Sequence, residues 1–172
     1  MELGIRDKVA LVAASSRGLG RAIAEALAAE GASIIICSRN ADELETTKHA
    51  IESRTGAKVH AIASDLSDRA QIERLATDAI VKHGRVDILV NNAGGPPAGK
   101  FEVHEWEAWE RAVNLNLRSA VELTRAFLPG MRERKWGRVI NVTSITAKQP
   151  VENLILSNSV RAAVTGFART LA

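Results

Sequence analysis

The segment V9-A-L-V-A-A-S-S-R-G-L-G20 decides the fold, because it leads from a buried strand through a glycine-bearing turn into a helix. Residues 9–14 form a short apolar run typical of a buried strand, and residues 20–30 predict a helix that ends before Gly31. Glycines in such a turn let the backbone approach a ligand, and the helix N-terminus supplies unpaired N–H groups. The turn therefore predicts a diphosphate site, with an ordinary glycine-rich turn as the alternative.

The rest of the chain repeats this alternation. Further strands are predicted at residues 33–38, 58–63, 86–91 and 137–142, further helices at 42–53, 68–83 and 103–132, and a last helix from Ser157. The apolar runs are continuous, as in strands that are buried on both faces. We therefore predict an α/β fold, a Rossmann-type doubly wound parallel sheet with five recognisable strands, in a single domain over residues 1–172.

Charge and composition argue against several classes of partner. The 172 residues carry 23 Lys and Arg against 20 Asp and Glu, a net charge of +3. Because the two signs are interleaved, we expect no nucleic-acid partner, and the densest basic run, R132-E-R-K135, is predicted to be a solvated loop. The sequence shows no leader and no long apolar run, which predicts no membrane partner and a cytoplasmic location. The four histidines lack metal-ligand spacing, so no metal site is expected.

The sequence also predicts the positions of several individual side chains. Cys37, the only cysteine, is predicted to be small, buried and in a reducing compartment. Asp87 is expected at the margin of the fourth strand, and His83 at a helix C-terminus. The three tryptophans read as packing residues: Trp106, Trp109 and Trp136.

Small polar residues and glycines follow all five predicted strands. Because ligands of an open parallel sheet bind beyond the carboxyl ends of its strands, we expect these residues to share one site. In strand order they are Ser15, Ser16, Arg17, Gly18, Leu19 and Gly20; Ser38 and Arg39; Ser64, Asp65 and Leu66; Asn91, Asn92, Ala93 and Gly94; and Thr143 and Ser144.

The residues after the second strand favour one cofactor. A dinucleotide site that prefers NAD carries an acid for the ribose hydroxyls about twenty residues after the glycines. Here Ser38 and Arg39 occupy that place, and with Arg17 they supply two guanidinium groups suited to a 2′-phosphate. The pattern favours NADP(H) over NAD(H); the alternative is two solvated surface arginines.

Asn116 is a polar residue on an otherwise apolar helical face. It stands at helical spacing with Ala112, Ala120 and Leu123, so it is predicted to be buried. A buried Asn needs hydrogen-bond partners. It is therefore either a structural residue or a site residue that holds water.

Together these residues resemble the short-chain dehydrogenase/reductase family, in its 3-oxoacyl-(acyl-carrier-protein) reductase-like branch, from about Lys8 to Ala172. The match rests on N91-N-A-G94, on Gly18 and Gly20 in the cofactor loop, on Asp65-Leu66 beside the adenine position, and on the segments W109-E-R-A-V-N-L-N-L117, G137-R-V-I-N-V-T-S144 and R161-A-A-V-T-G-F-A-R-T-L-A172. The resemblance places Asn116 and Ser144 at the family's active-site Asn and Ser, and Arg161 at its active-site Lys. It also implies that the C-terminal part of the family fold, which completes the substrate pocket, is absent from this chain.

Two departures from the family pattern bear on function. Ala13 and Ala14 replace the Thr and first Gly of the cofactor loop, which is tolerable where the local φ is negative. The family's Tyr-x-x-x-Lys becomes S157-N-S-V-R161, and the 172 residues contain no tyrosine. In the family the Lys lowers the pKa of the Tyr and holds the nicotinamide ribose. Arg161 is able to keep the ribose contact, whereas Ser157 is a poor substitute for a phenol acid.

Two hypotheses of function follow. The first is an NADP(H)-dependent oxidoreductase, in a homo-oligomer, that acts on a small carbonyl/alcohol or acyl-thioester substrate, with Ser144, Asn116, Ser157 and Arg161 as its catalytic residues. The second is a cofactor-binding protein with little or no turnover and a structural or regulatory role. Isomerisation or dehydration is a third class, to which nothing in the sequence points specifically.

Overall fold

Over residues 3–172, which the computed structural model describes, strands and helices alternate as predicted. The strands are β1 (Val9–Val12), β2 (Ser33–Ser38), β3 (Val59–Ala63), β4 (Ile88–Asn91) and β5 (Arg138–Asn141). The α-helices are α1 (Gly18–Ala29), α2 (Ala41–Thr55), α3 (Arg69–His83), α4 (Trp106–Ala112), α5 (Ser119–Glu133) and α6 (Ile155–Leu171).

The strands form one parallel sheet in the order β3-β2-β1-β4-β5. The chain winds outward from β1 to β3, then crosses back to place β4 on the other side of β1. This reversal creates a topological switch point between β1 and β4, where the loops that follow the two strands diverge. The predicted doubly wound α/β fold is confirmed.

Two apolar layers enclose the sheet. Alternate residues of β1 face opposite sides: Leu11 packs with Leu75 of α3 and Leu123 of α5, whereas Val12 packs in the layer that contains Ala24 of α1 and Leu44 of α2. The central strands are therefore buried on both faces, which explains their continuous apolar sequence. Cys37 lies in this core as predicted, and burial raises the pKa of its thiol to about 12.

The helix predicted over residues 103–132 is interrupted. A 3₁₀ turn at Phe101–Val103 precedes α4, and a π-helical turn at Val113–Arg118 joins α4 to α5. The π turn closes i→i+5 hydrogen bonds over a short segment, and the segment V113-N-L-N-L-R118 contains no Gly or Pro that would indicate a break in the helix. The last helix also begins two residues before Ser157, at Ile155.

Asp87 lies at the margin of the fourth strand as predicted, directly before β4, and its side chain is fully buried. Its carboxylate accepts hydrogen bonds from Arg85 and from the N–H of Val9, and it pairs with Arg134. Burial alone would raise the pKa of Asp87, but these bonds and charges outweigh it and hold the pKa below its usual range. Arg134 is therefore a partly buried partner of Asp87, and Arg132 and Glu133 still belong to α5. The predicted solvated loop over 132–135 is wrong for these three residues, although Arg132 and Glu133 are exposed on the helix.

Among the other predictions from the sequence, that for His83 is confirmed and that for Trp106 is wrong. His83 ends α3 as predicted, followed by Gly84 in the left-handed conformation. Trp109 and Trp136 are partly buried, but Trp106 is 73% exposed and is not a packing residue. No helix within residues 3–172 combines the length and apolar character needed to cross a membrane. The same residues contain no group of three or more His, Cys, Asp or Glu side chains placed to hold a metal ion.

Candidate functional site

A cleft of about 890 Å³ lies at the carboxyl edge of the sheet, at the switch point between β1 and β4. Its volume falls within the range of about 300–1,000 Å³ that is common for ligand pockets. The walls come from the ends of four strands and the N-termini of α1 and α2. The predicted site residues that line it are Ser16, Arg17, Leu19, Gly20, Ser38, Arg39, Ser64, Asp65, Leu66, Asn92, Ala93 and Gly94.

The floor of the cleft is a close contact between two loops. Asn92 Nδ2 donates hydrogen bonds to the carbonyls of Ala13 and Ala14, each at 3.1 Å. A Cβ on Gly20 would lie 2.3 Å from the Ala14 carbonyl oxygen and 2.8 Å from Asn92 Nδ2. Only glycine fits there, so this glycine is required by packing as well as by approach to a ligand.

The backbone of Ala14 does not meet the condition under which an alanine is tolerable there. Its φ is +47°, in the left-handed region that disfavours a Cβ. The turn must reverse direction immediately after β1 to bring the Ala14 carbonyl to Asn92, and this reversal requires a positive φ. The cofactor loop therefore carries local strain at Ala14.

Besides Arg161, which is described below, three predicted cofactor residues do not line the cleft. Ser15 is buried, and its Oγ donates to the Val12 carbonyl at 2.6 Å and accepts from the Cys37 N–H at 3.1 Å, so it ties β1 to β2. Asn91 Nδ2 donates to Thr124 Oγ1 and to Asn141 Oδ1, linking β4 to α5 and β5. Gly18 has a φ of +59° and starts α1 with its Cβ position open. These residues shape the edge without facing its ligand space.

The charge in the cleft is mixed. Arg17 and Arg39 are exposed on its wall, and neither forms an ion pair within residues 3–172. Glu43 lines the same wall and accepts a hydrogen bond from Ser16 Oγ at 3.2 Å. The sequence reasoning missed Glu43, although an acid in the first turn of a helix that starts at the site is a usable signal. Two cations and one carboxylate therefore surround the place predicted for a 2′-phosphate.

A second group of polar residues lies beyond β5. Thr146 Oγ1 is 3.0 Å from Ser157 Oγ, and the Thr146 N–H donates to Ser144 Oγ at 3.3 Å. Thr146 is only 3% exposed, while Ser144 and Ser157 are partly buried. The structure thus brings the two predicted serines together through a residue that the sequence reasoning missed. A threonine in a turn carries no distinguishing signal.

Arg161 does not line the cleft. It is 7% exposed, and its guanidinium donates to the carbonyls of Val142 at 2.8 Å and Ala93 at 3.2 Å. Burial lowers the pKa of this guanidinium from its usual value. Arg161 therefore fastens the segments that follow β4 and β5 to each other.

Asn116, Asn91 and Arg161 line a small cavity of about 10 Å³. Asn116 lies in the π turn, and its Nδ2 donates to the Ala112 carbonyl at 3.1 Å. The Oδ1 atoms of both asparagines and the Nε of Arg161 are buried and make no hydrogen bond within the described residues. Two acceptors and one donor around this space suit a single water molecule.

The parallel sheet, the glycine-bearing turn and the cleft at the switch point define the class: an open, doubly wound α/β protein with a ligand site at its carboxyl edge. Within this class the chain belongs to the short-chain dehydrogenase family, whose model matches residues 8–172.

The chain spans 60% to 69% of the length of the three similar proteins described next. It is 34% identical to the dehydrogenase/reductase SDR family member 4 of Sus scrofa, over 98% of this chain but 60% of the relative. It is 30% identical to the 3-oxoacyl-(acyl-carrier-protein) reductase FabG of Aquifex aeolicus, over 100% of this chain and 69% of that protein. The crystal structure of L-sorbose reductase from Gluconobacter frateurii, complexed with NADPH and L-sorbose, superposes with a TM-score of 0.96 at 35% identity, over 99% of this chain and 65% of that one.

Proposed function

We propose that the protein is an NADP(H)-dependent oxidoreductase that moves a hydride between nicotinamide and a carbonyl/alcohol pair. The observation that carries the proposal is the cleft at the switch point. It is lined by the start of α1, by the loop after β4, and by Arg17 and Arg39, which form no ion pair with any other described residue. Membership of the short-chain dehydrogenase family and the similarity to a reductase solved with NADPH support it.

The residues of the cleft fit a phosphorylated dinucleotide. Within residues 3–172 no side chain caps the N-terminus of α1, so the N–H groups of its first turn are available to a diphosphate. Arg17, Ser38 and Arg39 would hold the 2′-phosphate, and Asp65 with Leu66 would flank the adenine. Asn92, Ala93 and Gly94 would face the nicotinamide half. When bound, NADP(H) supplies or accepts the hydride.

The residues beyond β5 would act on the substrate oxygen. Ser144 would orient it with a hydrogen bond, and Ser157, held by Thr146, would add a second hydroxyl. Asn116 and Arg161 would hold the water of the small cavity. Because a guanidinium does not deprotonate in proteins, Arg161 would contribute charge and not a proton.

Finer features of this function are also proposals. They are a 3-oxoacyl thioester-like substrate, a preference for NADP(H) over NAD(H), a homo-oligomeric assembly, a single domain and a cytoplasmic location. The FabG relative supports the first of these and Arg39 the second. Glu43 opposes the second, since its carboxylate shares the wall with Arg39.

The second candidate is a cofactor-binding protein with little turnover. The observation that favours it is the engagement of Arg161 with two main-chain carbonyls, together with a serine in place of the family's Tyr. One experiment distinguishes the two candidate functions. NADPH binding is measured by fluorescence titration, and NADPH oxidation is then measured with a panel of ketones, aldehydes and quinones. Binding with turnover supports the oxidoreductase, binding without turnover supports the second candidate, and no binding refutes both.

A further inference from the structure

The hydrogen-bonded side chains at the proposed substrate oxygen are aliphatic hydroxyls: Ser144, Thr146 and Ser157. A hydroxyl can donate a hydrogen bond to an oxygen that becomes negative. It does not release its proton near neutral pH, because an alkoxide is about as strong a base as hydroxide. This set therefore stabilises an oxyanion without neutralising it.

The positive charge beside this set is fixed in place. Arg161 lies one helical turn after Ser157 on α6, and two main-chain carbonyls hold its guanidinium. Because a guanidinium keeps its proton, Arg161 supplies a permanent positive field. The field and the hydroxyls favour the same outcome, a substrate oxygen that stays negative after hydride transfer.

Resting on the function proposed above, we propose that the substrates of this site are carbonyl compounds whose reduced oxyanion is a weak base, with quinones as the class. A reduced quinone is a phenolate-type anion whose conjugate acid has a pKa of about 10, far below that of a simple alcohol. This anion needs only hydrogen bonds and positive charge to stabilise it, and no general acid. A simple ketone gives an alkoxide that needs a general acid, whose help is worth roughly 10²–10⁴-fold in rate.

The reaction balances without a protein acid. The quinone takes one hydride from the reduced nicotinamide, which is left oxidised. A hydride carries two electrons and one proton. The resulting hydroquinone monoanion is held by Ser144 and Ser157, then takes one proton from water and leaves as hydroquinone.

The test compares NADPH oxidation by menadione with oxidation by cyclohexanone and a 3-oxoacyl thioester, under nitrogen and corrected for the reaction without protein. We expect kcat/KM for the quinone to exceed that for either ketone by about 100-fold or more. Ser157→Tyr restores a phenol acid and should shrink this ratio by about tenfold or more, through faster ketone reduction. Ser159→Tyr is the matched control, because it places the same residue on the exposed face of α6 and should leave the ratio unchanged.

A binding measurement tests the same inference without turnover. 4-Nitrophenolate imitates the reduced anion, and its binding to the protein with NADP⁺ is followed by its absorbance. We expect it to bind at least about tenfold more tightly than 4-nitroanisole, its uncharged methyl ether, and Ser144→Ala to remove most of this preference.

The two proposals fail in different ways. If NADPH does not bind, the proposed function fails and the substrate class falls with it. If NADPH binds but the quinone is reduced no faster than the ketones, or nitrophenolate shows no preference over nitroanisole, the quinone inference is overturned and the cofactor site stands.

Discussion

Gly20 and Ala14 approach so closely that a Cβ on Gly20 would overlap the Ala14 carbonyl oxygen, at 2.3 Å. This contact joins the first turn of α1 to the start of the turn after β1, and Asn92 fastens it from the other side of the switch point. The geometry of the proposed diphosphate site therefore depends on a residue that lacks a side chain.

Gly20→Ala should destabilise the protein and weaken NADPH binding together. The methyl group forces apart backbone atoms, and overpacking of this kind costs about 1–3 kcal/mol or more. Urea unfolding measures the first effect and NADPH titration the second. Gly166→Ala is the control, because its Cβ meets nothing within 4 Å on α6 and should be neutral or stabilising. Unchanged stability and affinity in Gly20→Ala would contradict the contact.

Ala14→Gly should stabilise the protein, although most alanine-to-glycine changes do the opposite. The φ of +47° costs an alanine about 1–2 kcal/mol, which exceeds the extra chain entropy of glycine, and the net gain should be about 0.5–1 kcal/mol. The urea midpoint reports the change. Ala13→Gly, at a neighbouring buried position without a positive φ, should lower the midpoint instead.

Arg39→Asp and Glu43→Gln should move cofactor preference in opposite directions. Removing the guanidinium should weaken NADPH relative to NADH by about tenfold or more, since a charge-assisted bond is worth about 1.5–3 kcal/mol. Neutralising Glu43 should strengthen NADPH relative to NADH, because a carboxylate repels a 2′-phosphate. Competitive titration with both cofactors gives the ratio. Arg169→Asp, exposed near the end of α6, is the charge control; an equal shift there would show a general electrostatic effect.

Asp87→Asn should destabilise the protein by about 2 kcal/mol at neutral pH. The change leaves Arg85 and Arg134 without their buried partner, and the partial exposure of both arginines keeps the loss below the 3–5 kcal/mol of a fully buried pair. Asp78→Asn, at an exposed position on α3, should stay within about 0.5 kcal/mol of the parent.

The pH dependence of this effect has a definite sign. The folded pKa of Asp87 lies below its unfolded value of about 3.9, so its contribution is complete above that value and is lost as pH falls through the lower folded pKa. The difference in unfolding free energy between the parent and Asp87→Asn should therefore be constant from about pH 7 to 5 and shrink below about pH 4. A difference that grows on acidification would be inconsistent with the depressed pKa.

The sequence predicted the sheet and its polar edge because continuous apolar runs indicate buried strands, and glycines indicate where helices end. It could not show which way a polar residue at a strand end points. Ser15 and Ser16 are adjacent, yet one bonds the neighbouring strand and the other lines the cleft. The side-chain direction there is set by a backbone reversal at Ala14 that no composition reveals.

The same reason explains what was missed beyond β5. Ser144 was predicted from its place after the fifth strand and from the family resemblance, and Ser157 from the resemblance. Thr146, which connects them, is two residues from Ser144 in a turn whose shape the sequence does not encode locally. The role of Arg161 also depends on carbonyls of Ala93 and Val142, which are far from it along the chain.

The π turn at Val113–Arg118 has a consequence for insertions and deletions. It holds one residue more than an α-helix of the same rise, so removing a single residue there would let Trp106–Glu133 close into one regular helix. Each residue of an α-helix accounts for about 100° of rotation. A relative that lacks that residue would present a different side chain where Asn116 now stands, and chain length at this turn therefore distinguishes proteins that keep the buried amide from those that have replaced it.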